Sequence, residues 1–275
     1  MSLTEMNLTE MKLETIRIDQ VEPGIVLATL DRDETLNSMT KTMFVELEQL
    51  ALASDQDDAI RVLIITGSGR AFCSGYDLDA AEELPGLSAM AMLRQQEVAA
   101  RGLAAIRHMR IPVIAAINGA ASGGGLSLAL SADMRIGSRR ARFNAAFVRI
   151  GLSAGDLGAS WLLTRMLGPG IAAEVAYTGR FVEAEEAYRL GLLNKLTSEE
   201  GLIEESVKVA RLICANSPVG VQLSKRALQA NMEVGSLAAA LELENRGQAL
   251  LTRGQDLREA LEAIKGKRPP SFNGR

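Results

Sequence analysis

Two short runs, "RVLIIT" (61–66) and "PVIAAI" (112–117), constrain this chain more than any other feature of it. Both are almost wholly apolar, rich in β-branched residues, and too short for a buried helix, so both read as buried β-strands. Each runs into a loop that carries glycines, "GSGRAFCSGYDL" (67–78) and "NGAASGGG" (118–125), and the second loop opens a helical pattern.

The segments around them fit the same scheme. "ETIRID" (14–19) and "IVLATL" (25–30) flank Glu22-Pro23-Gly24, a turn signal, and predict a hairpin. A helix is expected after Thr40, its N-cap, with Met43, Phe44, Leu47, Leu50 and Leu52 as the apolar stripe. A longer helix is predicted from Ser88 to Met109, with Met92, Leu93, Leu103 and Ile106 on recurring faces, and "MRIGS" (134–138) returns to extended chain. Strands and helices alternate in this way to about residue 197, as in α/β folds. From Glu199 onward the pattern is almost all helical, over 200–214, 218–231, 236–251 and 255–265. The chain therefore divides into a leader (1–13) with a doubled "LTEM" that reads as disordered, an α/β core (14–198) and a C-terminal helical region (199–275). Such a region packs either on its own core or on a neighbouring copy.

Composition excludes several functions. With 47% apolar residues, 23% charged residues and a net charge of −4 over 275 positions, the chain is of ordinary globular type. No run approaches the roughly 18 apolar residues of a membrane span, and no basic stripe marks a nucleic-acid footprint. Cys73 and Cys214 form no disulfide framework, which suits a reducing, cytoplasmic setting, and no Cys/His cluster has metal-ligand spacing. "GSGRAF" lacks the third glycine of a dinucleotide fingerprint. "GLSAG" (151–155) matches a nucleophile elbow, but that chemistry needs a histidine after the serine. The sole histidine, His108, precedes it and reads as the basic end of a helix.

The two glycine loops remain. Glycines let backbone approach a ligand, and a helix N-terminus offers unpaired N–H groups at the positive end of its dipole. Two such loops side by side have the makings of an oxyanion hole; tight turns that pack helix on strand are the other reading.

"GRAFCSGYDL", "PVIAAINGAASGGGLSLALSADMRI", "GLSAGDLGASWLLTRMLG" and "YTGRFVEAEEAYRLGLLNKL", in that order, resemble the crotonase superfamily, the enoyl-CoA hydratase/isomerase group. The likeness continues through "ANSPVGVQLSKRAL" and "REALEAIKGKRPPSFNGR" and covers about residues 14 to 275. It implies a superhelix of ββα units with a C-terminal helical region that builds homotrimers, often paired into homohexamers. It also implies acyl-CoA substrates, with coenzyme A arriving as part of the thioester and no permanently bound cofactor or metal. By the same resemblance the backbone N–H groups of Tyr76 and Gly124 form the oxyanion hole. Thr35, Leu36, Ala71 and Ser74, together with Tyr76 and Gly124, would line the coenzyme A groove; Glu34 stands where relatives often carry a basic residue. The Tyr76 ring would line the pocket and Asp77 would cap the next turn.

The chain departs from the family's hydratases at both catalytic glutamates, whose positions hold Ser127 and Phe147. Neither side chain exchanges protons near neutral pH. Asp156 aligns with an aspartate that works in related isomerases, although an aspartate ahead of "LGASWLLTRML" is equally a good helix cap. One carboxylate suits a proton shuttle between two carbons better than it suits hydration. Glu82, Glu83 or Glu97 could supply a second carboxylate, or simply form solvated helix faces, and Trp161 and Met166 could belong to the acyl pocket or to the core. The reading is an acyl-CoA enzyme working through a thioester enolate with Asp156 as acid/base. The alternatives are an enoyl- or dienoyl-CoA isomerase rather than a hydratase, or an acyl-CoA-binding protein with a vestigial site.

Overall fold

The computed structural model describes Leu8 and residues 11–275. Strands β1 (Ile16–Glu22) and β2 (Ile25–Leu30) form the expected antiparallel hairpin. Parallel pairing then adds β3 (Val62–Gly67), β5 (Val113–Ile117), β7 (Met134–Ser138) and β10 (Lys195–Thr197) in that order, completing a six-stranded sheet. A smaller sheet runs β4 (Ala71–Cys73), β6 (Ala120–Ser122), β8 (Arg142–Asn144) and β9 (Val182–Glu183).

The chain visits the large sheet, then the small sheet, then a helix, and repeats. β3 and β4 lead through the short α2 (Leu78–Glu82) to α3 (Ala89–His108), β5 and β6 lead to α4 (Gly124–Ser131), and β7 and β8 lead to α5 (Ala159–Thr178). This is the ββα superhelix that the sequence motifs imply. The all-apolar strands have a direct cause in it. Leu63 and Ile65 of β3 face the main core, while Val62 and Ile64 face a second apolar layer; in β5, Val113, Ala115 and Ile117 point one way and Ile114 and Ala116 the other. With both faces covered, these strands are apolar almost throughout, and the one hydroxyl on them, Thr66, donates to the Ala116 carbonyl (2.8 Å).

The second layer is closed by α7 (Leu202–Cys214), whose Leu202, Val207 and Ala210 pack on Val62, Ile64, Ile114 and Ile136. The change of pattern near residue 198 is therefore not a packing boundary, and α7 belongs to the core. Only α8 (Pro218–Asn231), α9 (Leu237–Leu251) and α10 (Gln255–Lys265) stand outside it. Lys225 anchors α8, with its ammonium 2.7 Å from the Asp133 carboxylate and 2.8 Å from the Ile111 carbonyl. At the other end, most of the leader expected over 1–13 lies outside the described residues. Leu8 is buried and Met11 and Leu13 pack against the core, so the ordered chain starts before residue 14.

Helix α1 (Lys41–Gln56) is capped by the Thr40 hydroxyl, which accepts from the Met43 amide, and it buries Met43, Phe44, Leu47 and Leu50. Leu52 is exposed instead, because α1 presents that side to solvent rather than to α3. Leu93 is likewise exposed on α3, which buries Leu103 and Ile106 further along. Gly125, in the first turn of α4, lets this helix lie directly on β4: a methyl group there would sit 2.2 Å from the Cys73 carbonyl oxygen. Gly125→Ala is therefore predicted to lower stability by at least about 2 kcal/mol, measured as a fall in the urea unfolding midpoint.

Candidate active site

The loop after β4 is held from the side by the segment before α1. The Met39 amide donates to the Gly75 carbonyl (2.7 Å), and the Asp77 amide donates to the Met39 carbonyl (3.1 Å), a single parallel bridge between Met39 and Tyr76. Along extended chain successive backbone groups alternate in direction. With Gly75 and Asp77 both engaged toward Met39, the Tyr76 N–H points the opposite way, and among the described residues it has no protein acceptor. Gly75 makes this possible at φ +102°, and a methyl group on it would collide with the Ser122 carbonyl at 2.8 Å.

Gly124 is the first residue of α4, after Gly123, whose own N–H donates to the Asn144 carbonyl (3.0 Å). The Gly124 N–H is one of the orphan donors of a helix start, and it too has no protein acceptor among the described residues. A methyl group on Gly124 would sit 3.8 Å from the Tyr76 nitrogen, and one on Gly75 would sit 3.4 Å from the Gly124 nitrogen. The two free amides predicted from the sequence therefore meet at one place.

That place is the floor of a cavity of about 370 Å³. Its walls are apolar and partly aromatic, with Phe44, Tyr76 and Phe147 prominent, and the Tyr76 ring stacks on Phe44 at 6.3 Å between centroids. Asp156 lines the same cavity. It does not cap α5: the N-cap is Gly158, and no side chain bonds to the helix start. Its carboxylate instead accepts a hydrogen bond from the Gln96 side-chain amide on α3. Burial pushes the Asp156 carboxyl above the usual range, opposed by the Gln96 bond and by the Leu157 amide. Ser127 is fully buried and its hydroxyl donates to the Asp156 carbonyl (3.4 Å), while Phe147 forms part of the wall. Cys73 is no nucleophile, since burial pushes its thiol up to about 12.

The remaining candidates divide. Thr35, Leu36 and Ser74 lie together, and Ser74 lines the cavity: its amide donates to the Leu36 carbonyl (3.0 Å), and its hydroxyl donates to the Thr35 carbonyl (3.2 Å). Ala71 is buried in β4, and its carbonyl accepts from the Asn37 and Asn118 side-chain amides. Glu82, Glu83 and Glu97 are exposed and none lines the cavity. Trp161 packs on the core beneath the Arg165 guanidinium, and Met166 borders a separate opening of about 660 Å³ beside α8, so neither reaches the acyl cavity.

Gln95 and Gln96 were not singled out from the sequence. They sit on the inward stripe of α3 between Met92 and Ala99, and polar residues on an otherwise apolar stripe were the signal available.

Asp77 caps α2 through the Ala80 amide (3.2 Å), as its place in the sequence predicts, and also binds the Ser38 hydroxyl (2.7 Å) and the Arg32 guanidinium (3.1 Å). The Ser38 bond foremost, with Ala80 and Arg32, holds its carboxyl below the usual range against the opposing effect of burial. A carboxyl depressed on folding stabilises the fold fully above its unfolded value of about 3.9, and this stability is lost as pH falls through the lower folded value. Asp77→Asn is predicted to remove that part of the acid-side fall in stability, read from thermal unfolding between pH 5 and pH 2.

Comparisons with known proteins give the arrangement its context. The sequence profile of the family described as Enoyl-CoA hydratase/isomerase matches residues 20–275. The 1,2-epoxyphenylacetyl-CoA isomerase of Escherichia coli is 36% identical over 94% of this chain and 98% of its own. The crotonyl-CoA hydratase of Syntrophomonas wolfei is 34% identical over 95% of this chain and 99% of its own. Among solved structures, the enoyl-CoA hydratase of Bacillus anthracis superposes with a TM-score of 0.90 at 30% identity, covering 95% of this chain and 100% of that one. The ββα superhelix, the paired glycine loops and these matches along nearly the whole chain agree, and the protein belongs to the enoyl-CoA hydratase/isomerase family of enzymes acting on coenzyme A thioesters.

Proposed function

We propose that this enzyme isomerises unsaturated acyl-CoA thioesters through an enolate, with the thioester oxygen held by the Tyr76 and Gly124 amides and Asp156 as the single acid/base. The observation that carries this reading is the position of Asp156. Among the described residues it is the one carboxylate on a cavity whose floor carries two amides without a protein acceptor, and the neighbouring family positions hold Ser127 and Phe147. Removing a proton from carbon next to a thioester places negative charge on the carbonyl oxygen, and two fixed N–H donors stabilise that charge where it develops. Asp156, kept above the ordinary carboxylate range by burial, takes the proton and returns it to another carbon. The apolar walls exclude water, which favours moving a proton within the substrate over adding water to it. Thr35, Leu36 and Ser74 would border the coenzyme A arm.

Hydration is the second reading, favoured by the hydratase names of several relatives, the Syntrophomonas wolfei protein among them. One experiment separates the two. In deuterated water, α- and γ-proton exchange on short and medium enoyl-CoAs is followed beside loss of enoyl absorbance. Isomerase chemistry gives exchange without hydration. Asp156→Asn is expected to lower exchange by about 10²–10⁴-fold. Tyr76→Pro, which deletes one N–H, is expected to lower it by about 10²–10³-fold, whereas Tyr76→Phe keeps the amide and the activity. Full exchange in Asp156→Asn would sink the reading, and tight acyl-CoA binding with no exchange in the unaltered enzyme would point to a vestigial site.

Assembly into a homotrimer or homohexamer belongs to the same reading. It is supported by Leu228, Leu237, Leu250 and Ile264, each roughly 70% exposed on α8–α10, where a lone chain would leave a broad apolar surface in water. Light scattering is expected to give the mass of three or six chains, and a monomer would refute it.

A further inference from the structure

Asp156 sits on a loop that gives its side chain little support. The segment "GDLG" (155–158) carries Leu157 at φ +47° and Gly158 at φ +79°, and the carboxylate makes no bond to the helix that follows. The one side chain that holds it comes from sixty residues earlier in the sequence: the Gln96 amide Nε2 donates to Asp156 Oδ1. Among the described residues the other oxygen, Oδ2, has no side-chain partner. Gln95, one position before, donates to the Tyr76 hydroxyl. Adjacent residues on a helix point about 100° apart, so α3 reaches both walls of the cavity from one turn.

We propose that Gln96 is a positioning residue for Asp156, holding the carboxylate by Oδ1 so that Oδ2 is the oxygen that takes and returns the proton. This rests on the assignment of Asp156 as acid/base made above. A proton shuttle needs a fixed direction more than it needs proximity, because the same atom must reach two carbons in turn. A neutral amide suits the task. It donates to Oδ1 when the carboxylate is ionised, and the same bond persists when the proton sits on Oδ2, so nothing has to reorganise during turnover. A lysine or arginine in its place would drive the carboxyl down and weaken it as a base.

Among the described residues no other charged side chain lines the cavity. From the first loop the cavity receives Tyr76, from α3 Gln95 and Gln96, and from the loop of Asp156 itself Ser153; Ser127 of α4 meets only the Asp156 backbone. Tyr76 is the one other titratable side chain on the cavity wall, and its hydroxyl is kept protonated by burial.

The test compares the pH dependence of kcat/KM for proton exchange in the unaltered enzyme, Gln96→Met, Gln96→Glu and Asp156→Asn. As a base Asp156 works ionised, so the rate rises with pH through its pKa. Gln96→Met keeps the length and removes the donor, and the acid limb is expected to move up by about one pH unit. The plateau kcat is expected to fall at least about tenfold as the carboxylate loses its direction. Affinity for a saturated acyl-CoA should stay the same, which a general loss of structure would not allow. Gln96→Glu sets a second carboxyl beside the first and should move the limb further than Gln96→Met. It also keeps the proposal testable if Gln96→Met folds poorly. The shift is read without turnover by infrared titration of the Asp156 carboxyl in ¹³C-aspartate-labelled protein, with Asp156→Asn as the blank. A limb and infrared midpoint unchanged in both Gln96 variants would overturn the proposal. An active Asp156→Asn enzyme would instead overturn the acid/base assignment beneath it.

Discussion

The bridge between Met39 and Tyr76 fixes the geometry of the cavity floor. Two hydrogen bonds, from Met39 N–H to the Gly75 carbonyl and from Asp77 N–H to the Met39 carbonyl, turn the Tyr76 N–H away from its own neighbours. The same bonds position Asp77, whose carboxylate ties Arg32, Ser38 and the start of α2 together. Asn37, two residues before Met39, is fully buried at φ +57° and donates to the Ser68 and Ala71 carbonyls. Two glycine-rich loops with no regular ladder between them are thus cross-linked by side chains and one bridge. The surrounding structure thereby fixes the direction of the Tyr76 amide.

The second constraint is close backbone packing at the head of α4. Gly125 lets the helix rest on the Cys73 carbonyl, and this brings the Gly124 amide up to the Tyr76 amide. The helix start contributes the partial positive charge, and the apolar walls keep water from screening it. In such surroundings one carboxylate raised by burial has much greater effect than it would on a surface. Its proton affinity is balanced between burial, which raises it, and two neutral donors, the Gln96 side-chain amide and the Leu157 backbone amide, which lower it.

The family resemblance and the departure from it act at different levels. The superhelix and the pair of amides come from glycines and apolar runs that leave little freedom for change. At the two positions where the family's hydratases carry glutamates, Ser127 packs beneath Asp156 and Phe147 extends the apolar wall, and the scaffold around them is intact. In the proposed reading, the acid/base group can therefore change while the pair of amides stays the same.

Much of this was legible in the sequence because the signals are local. Apolar runs marked β3 and β5, Thr40 and Ser88 marked helix starts, and the glycine loops carried the motifs in which the family resemblance implies Tyr76 and Gly124. Where packing partners lie far along the chain, the sequence was silent or misleading. Leu52 and Leu93 fit their helical stripes yet face solvent, and Trp161 and Met166 lie away from the cavity. α7, assigned by pattern to the outer helical region, closes the core. Asp156 shows the division most clearly. Its identity and loop were plain from the sequence, but a helix cap and a cavity carboxylate look the same there. The sequence by itself determined the apolar strands and the two glycine loops, since periodicity and glycine placement act within a few residues, and the family resemblance singled out the Tyr76 and Gly124 amides in those loops. Only the tertiary structure decided where the Asp156 side chain lies, because its partner, Gln96, stands sixty residues away on another helix and only folding brings the two together.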